Sequence, residues 1–314
     1  MFWWFLPFLL LSAAVLFGFA MLHRICARPE KSEGWEDRRV AESGDAAWKE
    51  AWRAGRDWLA RCETEEVEVQ SDDGFVLHGL LVPHISPCAT VILFHGWRSS
   101  WEMDFLCALP FLYGLRLQCL LVDQRAQGDS EGRFMTLGVR ERADVPVWVD
   151  YVANRFGAEH PIFLQGASMG ASTVTMASAY HFSGNVRGLI ADCGFASPYE
   201  VVSAVWRERT PFPAHFAVWL FDHFARAFAG FSLKECDAAD ALARTEYPVL
   251  FLHGTADKFV PSYMTRRAYE ACGSEKTLLL VEGAGHCMSY LVGRPRVEAA
   301  YREFVEKNME NVIE

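Results

Sequence analysis

From about residue 65 the chain alternates short apolar runs with longer stretches of helical periodicity. Val67-Glu68-Val69-Gln70 alternates apolar and polar side chains, Ser71-Asp72-Asp73-Gly74 is turn-forming, and Phe75–Val82 resumes the pattern; together they predict a hairpin. Thr90–Phe94, Leu117–Val122, Ile162–Gln165, Val186–Ala191, Val249–Leu252 and Thr277–Val281 are apolar throughout or nearly so, as strands buried on both faces of a parallel sheet are. Helical spacing between them predicts helices over 100–113, 136–156, 168–182, 262–272 and 295–309. Strand and helix in alternation, with an antiparallel hairpin in front, predict an α/β fold with a doubly wound, mainly parallel, eight-stranded sheet.

Two segments depart from that rhythm. Phe2–Leu22 carries no charge and would form a helix about 31 Å long, enough for a hydrocarbon core. Trp3 and Trp4 stand where interfacial aromatics are favoured, and Arg24, Arg28, Lys31, Arg38 and Arg39 follow the span. The pattern predicts an uncleaved membrane anchor over 1–24 with the soluble domain that follows in the cytoplasm. The competing reading is a cleaved signal, with Gly18-Phe19-Ala20 as its cleavage site and a secreted or extracytoplasmic domain. Residues 25–64 read as a helical linker, broken at Ser43-Gly44-Asp45. The interval 196–244 has no strand pattern and is rich in aromatics, and it predicts a helical lid inserted between core segments 65–195 and 245–314. On a helical wheel Phe216, Trp219 and Phe224 fall on a broad apolar arc; with Trp206 they are the candidate pocket residues.

Composition narrows the function classes. The chain has 314 residues, 51% of them hydrophobic, and a net charge of −10 with no basic block, which gives a nucleic-acid role no support. Nine cysteines without a C-x-x-C pair read as reduced thiols rather than a disulfide framework. No Cys/His cluster has metal-ligand spacing, so no metal or cofactor is expected.

Four strand ends carry chemistry. Gly166-Ala167-Ser168-Met169-Gly170 lies between a predicted strand and a predicted helix, where a sharp turn exposes a serine and the helix N-terminus favours an oxyanion. His253-Gly254-Thr255-Ala256-Asp257 and Gly283-Ala284-Gly285-His286 follow two later strands. The order Ser168, Asp257, His286 suits a nucleophile, an orienting carboxylate and a general base. His95-Gly96-Trp97 ends an early strand, and the N–H groups of Trp97 and Met169 are the candidate oxyanion donors. Cys287 beside the base reads as packing, because no presenting turn is visible around it.

These motifs resemble the α/β-hydrolase superfamily, in its serine-aminopeptidase-like and lysophospholipase-like branch. The resemblance rests on Phe94-His95-Gly96-Trp97, the stretch Asp123–Gly132, Gly166–Gly170, His253–Asp257 with Val260-Pro261, and Gly285-His286, and covers about residues 65–308. Within Asp123–Gly132, Ala126-Gln127 replaces the Gly-His or Ala-His usual after the arginine, in a stretch whose family role is structural. The resemblance implies an α/β-hydrolase fold and a serine hydrolase of carboxylesterase or lipase type. It would act on a small-molecule ester with an apolar or amphiphilic acyl group. Peptidase, amidase and thioesterase activities use the same triad, and a catalytically silent, membrane-anchored binding module is the reading from another class.

Overall fold

The computed structural model describes residues 6–30 and 33–310; Phe2, Trp3, Trp4 and Lys31 of the expected span and its flank lie outside them. Strand β1 (Glu65–Gln70) pairs antiparallel with β2 (Val76–Val82), the expected hairpin. Six further strands follow: β3 (Ala89–Phe94), β4 (Leu117–Val122), β5 (Ile162–Ala167), β6 (Val186–Asp192), β7 (Val249–Gly254) and β8 (Lys276–Val281). The sheet order is β1-β2-β4-β3-β5-β6-β7-β8, antiparallel at β1/β2 and β2/β4 and parallel elsewhere. The chain turns one way from β3 to β4 and the other way to β5. The loops leaving β3 and β5 therefore diverge and open a crevice at the carboxyl edge of the sheet.

In chain order the helices are α1 (Leu6–Cys26), α2 (Trp35–Glu42), α3 (Ala46–Leu59), α4 (Trp101–Phe105), α5 (Leu109–Gly114), α6 (Asp144–Phe156) and α7 (Met169–Ala177). They continue with α8 (Pro198–Arg209), α9 (Ala214–Phe224), α10 (Ala238–Leu242), α11 (Tyr263–Ala271), α12 (Ser289–Val292) and α13 (Arg294–Glu310). Every residue of β3 is buried, and its side chains alternate: Val91 and Leu93 join Trp52, Leu109 and Phe304 on one face, while Ile92 and Phe94 join Trp148, Val149 and Val174 on the other. Burying such a Val, Leu or Ile contributes about 1.5–3 kcal/mol each, which explains why continuous apolar runs become central strands here.

Three expected helices are shorter than their pattern, and the one over 168–182 ends at Ala177. The segment 100–113 breaks after α4 because Pro110, in the first turn of α5, starts a new helix. The segment 136–156 becomes helical only from residue 141, since Leu137 (φ 55°) and Gly138 (φ 86°) are left-handed. The expected break at Ser43-Gly44-Asp45 is present, where Asp45 accepts the Trp48 N–H at 2.9 Å and caps α3.

A third apolar cluster joins α1 to α8 and α9. Met21, Leu22 and Cys26 are buried against Phe195, Val218 and Phe221. Gly18 makes that approach possible, because a Cβ there would lie 2.5 Å from the Phe224 ring. Phe19 meets Phe224 edge-on at 4.9 Å. Beyond the helix the chain stays fixed: Met135 N–H donates to the Cys26 carbonyl at 2.6 Å and Arg28 N–H to Arg133 at 3.1 Å. The opposite face of α1, with Phe8, Leu9, Leu10, Leu11 and Leu16, is exposed. Among the described residues Pro7–Cys26 is the one helix long and apolar enough to cross a membrane, and only 17% of its apolar window is buried, unlike a core helix.

Asp123–Gly132 forms a bracket beside the hairpin, buried over 123–127. The Arg125 guanidinium binds Asp144 through Nε (2.7 Å) and Nη2 (2.5 Å) and Asp73 through Nη1 (2.8 Å). Burial pushes the Asp144 carboxyl up to about 6 against the pull of Arg125. Arg125→Met strands that carboxyl inside the protein. It is expected to lower unfolding free energy by about 3 kcal/mol, read by denaturant titration.

Candidate active site

The three candidate residues lie on separate loops at the carboxyl edge of the sheet and meet in space. Ser168 sits between β5 and α7 at φ 53°, ψ −116°, a backbone conformation that side chains other than glycine rarely adopt. The turn is held by Ser168 N–H donating to the Asp192 carbonyl at 2.8 Å. It closes only because its flanks lack side chains: a Cβ on Gly166 would lie 2.1 Å from Gly170 C, and one on Gly170 would lie 1.8 Å from Phe94 O.

His286 Nε2 lies 2.9 Å from Ser168 Oγ, and His286 Nδ1 lies 2.6 Å from Asp257 Oδ2. Asp257 is fixed in turn. Its Oδ1 accepts the N–H groups of Phe259 (2.8 Å) and Val260 (2.9 Å), and His253 Nε2 lies 3.2 Å from Oδ2. Burial opposes its charge, but these histidines outweigh burial and hold the carboxyl well below the usual range. His286 is raised above ordinary histidine: burial works against its charged form, and Cys193 and Asp257 outweigh it. Burial itself pushes the Cys193 thiol far up. His253 also bonds Thr265 Oγ1 (2.6 Å) and the Val260 carbonyl (2.9 Å), and His95 Nε2 accepts the Gln124 N–H at 3.3 Å; both brace their loops.

On the loop after β3 the Gly96 N–H is committed to Asp104 Oδ2 at 2.7 Å, so Trp97 supplies the next N–H along. Met169 is the first residue of α7, where an N–H has no acceptor within the helix. The Trp97 indole donates to the Ile25 carbonyl at 2.8 Å and ties this loop to the end of α1.

Ser168 stands at a waist between two chambers, with Trp97 and Phe259 lining both. One is an apolar cavity of about 230 Å³ walled by Met21, Ile25, Leu137, Val202 and Trp206. The other is a polar groove containing His286, Asp104, Arg39 and Arg98. Of the four aromatics expected in the pocket, only Trp206 lines the cavity. Phe216 and Trp219 are 55% and 51% exposed, because Ala217, Val218, Leu220 and Phe221 form the buried face of α9. Phe224 packs instead on Gly18 and Phe19. The helical wheel gave the arc its width but not which sector meets which neighbour. Met21 and Ile25 were outside any sequence signal for a pocket, since they end an apolar run with an evident alternative use.

A second departure concerns cysteine. The Sγ atoms of Cys193 and Cys287 lie 3.3 Å apart, beside His286. No metal-ligand spacing is visible in the chain because 94 residues separate the two thiols; folding alone gathers the group. Cys287 also sits on a sharp turn, at φ 57°.

The alpha/beta hydrolase fold profile matches residues 89–234. The uncharacterized protein YqkD of Bacillus subtilis (strain 168) is 26% identical over 309 residues, spanning 97% of each chain. Esterase Pf2001 of Pyrococcus furiosus is similar in structure, with a TM-score of 0.67 at 18% identity over 90% of this chain and 98% of that one. Est1E of Butyrivibrio proteoclasticus, solved with ferulic acid bound, has a TM-score of 0.58 at 19% identity over 78% and 99%. The chain therefore has the α/β-hydrolase fold, with an eight-stranded, mostly parallel sheet and esterases among its structural neighbours.

Proposed function

We propose that this protein is a membrane-anchored serine hydrolase that cleaves esters of apolar acyl groups. The observation that carries the reading is the unbroken hydrogen-bond chain Ser168–His286–Asp257 at the waist between an apolar and a polar chamber. A serine hydroxyl needs a base at hydrogen-bond distance and an oriented imidazole, and this geometry supplies both. In the proposed cycle Ser168 Oγ attacks the ester carbonyl while His286 Nε2 takes its proton. The N–H groups of Trp97 and Met169 hold the oxyanion, which such donors stabilise by about 2.7–4 kcal/mol each. His286 then protonates the leaving alkoxide, which departs through the polar groove, and water repeats the sequence to free the acid. The acyl chain lies between Val202, Trp206, Met21 and Ile25. No metal or organic cofactor takes part in this cycle.

The same cavity favours retention of the N-terminal helix. Cleavage after Ala20 would remove the Gly18 contact and unseat Met21 and Ile25, two walls of the acyl site. With the basic residues after the span, α1 anchors the enzyme with its catalytic domain on the cytoplasmic side.

The test is a series of nitrophenyl esters of increasing acyl length, run beside aminoacyl amides and acyl thioesters on the full chain. Medium-chain esters are expected to turn over fastest. Val202→Trp narrows the cavity and is expected to shift the kcat/KM ratio toward short chains by about 10-fold or more. Faster turnover of amides or thioesters overturns the ester assignment, and no turnover of any of them favours a binding module.

A further inference from the structure

Cys193 leaves β6 and Cys287 leaves β8, the two strands that flank β7, and the fold brings both thiols against the imidazole of His286. One ligand atom from each of Cys193, His286 and Cys287 lies within 4.8 Å of the other two, and it is the one such group among the described residues. Tetrahedral zinc holds sulfur at about 2.3 Å and nitrogen at about 2.0 Å. Two sulfurs 3.3 Å apart need only a small separation to share one ion. Two thiolates and an imidazole form a soft donor set, which selects zinc over magnesium or calcium. Three protein ligands leave a fourth position open for water.

Surroundings and access fit a dication. Asp257 Oδ2 lies 2.6 Å from His286 Nδ1, and Asp104 lines the same polar groove as Cys287. Cys287 and His286 line the polar groove, so an ion arriving there meets two ligands before it reaches buried Cys193. Both cysteines are held in left-handed backbone conformations, φ 48° and 57°, so their sulfurs are positioned by the turns themselves. The triad as described uses neither sulfur.

We propose that Cys193, Cys287 and His286 form a zinc-binding site whose occupation switches hydrolysis off. Binding exchanges the two thiol protons for the ion and forms two metal–sulfur bonds and one metal–nitrogen bond. Both nitrogens of His286 are already engaged, Nδ1 with Asp257 and Nε2 with Ser168. Coordination therefore takes one of these bonds from the triad, and the loss of either leaves Ser168 without a working base. The inhibitory part of this proposal rests on the serine hydrolase reading; the coordination part does not.

The experiment uses the full chain in detergent, kept reduced with a phosphine. Titration with Co²⁺ is expected to give sulfur-to-metal charge-transfer absorption in the near ultraviolet and the visible bands of a tetrahedral ion, and Zn²⁺ is expected to displace both. Saturating Zn²⁺ is expected to abolish ester turnover, and EDTA to restore it. In Cys193→Ser, and separately in Cys287→Ser in case one variant does not fold, the charge-transfer band is lost. The Zn²⁺ concentration for half-inhibition, taken relative to each variant's own uninhibited rate, rises by about 10-fold or more. Absence of a charge-transfer band in the wild-type chain overturns the site. So does equal Zn²⁺ sensitivity of wild type and both variants. A band without inhibition overturns the switch. Because the band is read without substrate, a chain that shows it yet hydrolyses nothing refutes the serine hydrolase reading and leaves the coordination site standing.

Discussion

Ser168→Ala is expected to lower kcat on the best ester by about 10⁶-fold while leaving KM within a few-fold of wild type. The side chain contributes one polar contact, to His286 Nε2, and otherwise lies in a turn whose backbone bonds do not involve it. Removing Oγ deletes the proposed nucleophile and leaves the apolar cavity and both candidate oxyanion N–H groups in place, so substrate is expected still to bind and bond cleavage to fail. Alanine carries the same Cβ at the same φ, so stability is expected to stay within about 0.5 kcal/mol of wild type. The measurement is steady-state kinetics paired with a denaturant melt. A fall of less than about 100-fold in kcat points to another nucleophile.

Asp257→Asn is expected to lower kcat by about 10⁴-fold, and the local hydrogen bonds explain why. Oδ1 of Asp257 accepts two backbone N–H groups, from Phe259 and Val260, so the amide oxygen of asparagine must occupy that place. The amide NH₂ is then forced toward His286 Nδ1. A donor there makes Nδ1 the acceptor and moves the ring proton to Nε2, where it faces Ser168 Oγ and cannot receive the serine proton. The same NH₂ group would face His253 Nε2, so one side of the support is lost as well. The variant is expected to keep the proposed nucleophile in place but without a base. Kinetics over a range of pH is the check: turnover of the variant is expected to recover as hydroxide replaces the missing base, while wild type shows no such rise.

The sheet and the four strand-end motifs were legible in the chain because their signals are local. Runs such as Val91–Phe94 have no choice but burial, and Gly166 and Gly170 bracket Ser168 within five residues. Helix starts were less legible where backbone sign intervened, as at Leu137 and Gly138. Least legible was everything that depends on which surface meets which. Phe216, Trp219 and Phe224 share an apolar arc in the chain, yet two face outward and one packs on α1. Met21 and Ile25 belong to an apolar run that reads as a membrane span, and its last turn proves to be a wall of the cavity beside Ser168. Cys193 and Cys287 carry no mutual signal at all, because strand order across β6, β7 and β8 alone brings them to one imidazole.

The N-terminal helix is also built into the candidate site. Trp97, which offers a candidate oxyanion N–H, anchors its indole on Ile25, and Phe224 of α9 lies on Gly18. A chain shortened before Arg28 exposes Phe221 and Val218 to water and frees the loop after β3.

The most direct measurement is covalent: the full chain is treated with a fluorophosphonate and its intact mass and peptide map are recorded. A single adduct on Ser168, slowed in Asp257→Asn and abolished in Ser168→Ala, is the predicted result. No adduct on the folded wild-type chain, or an adduct that persists in Ser168→Ala, contradicts the account.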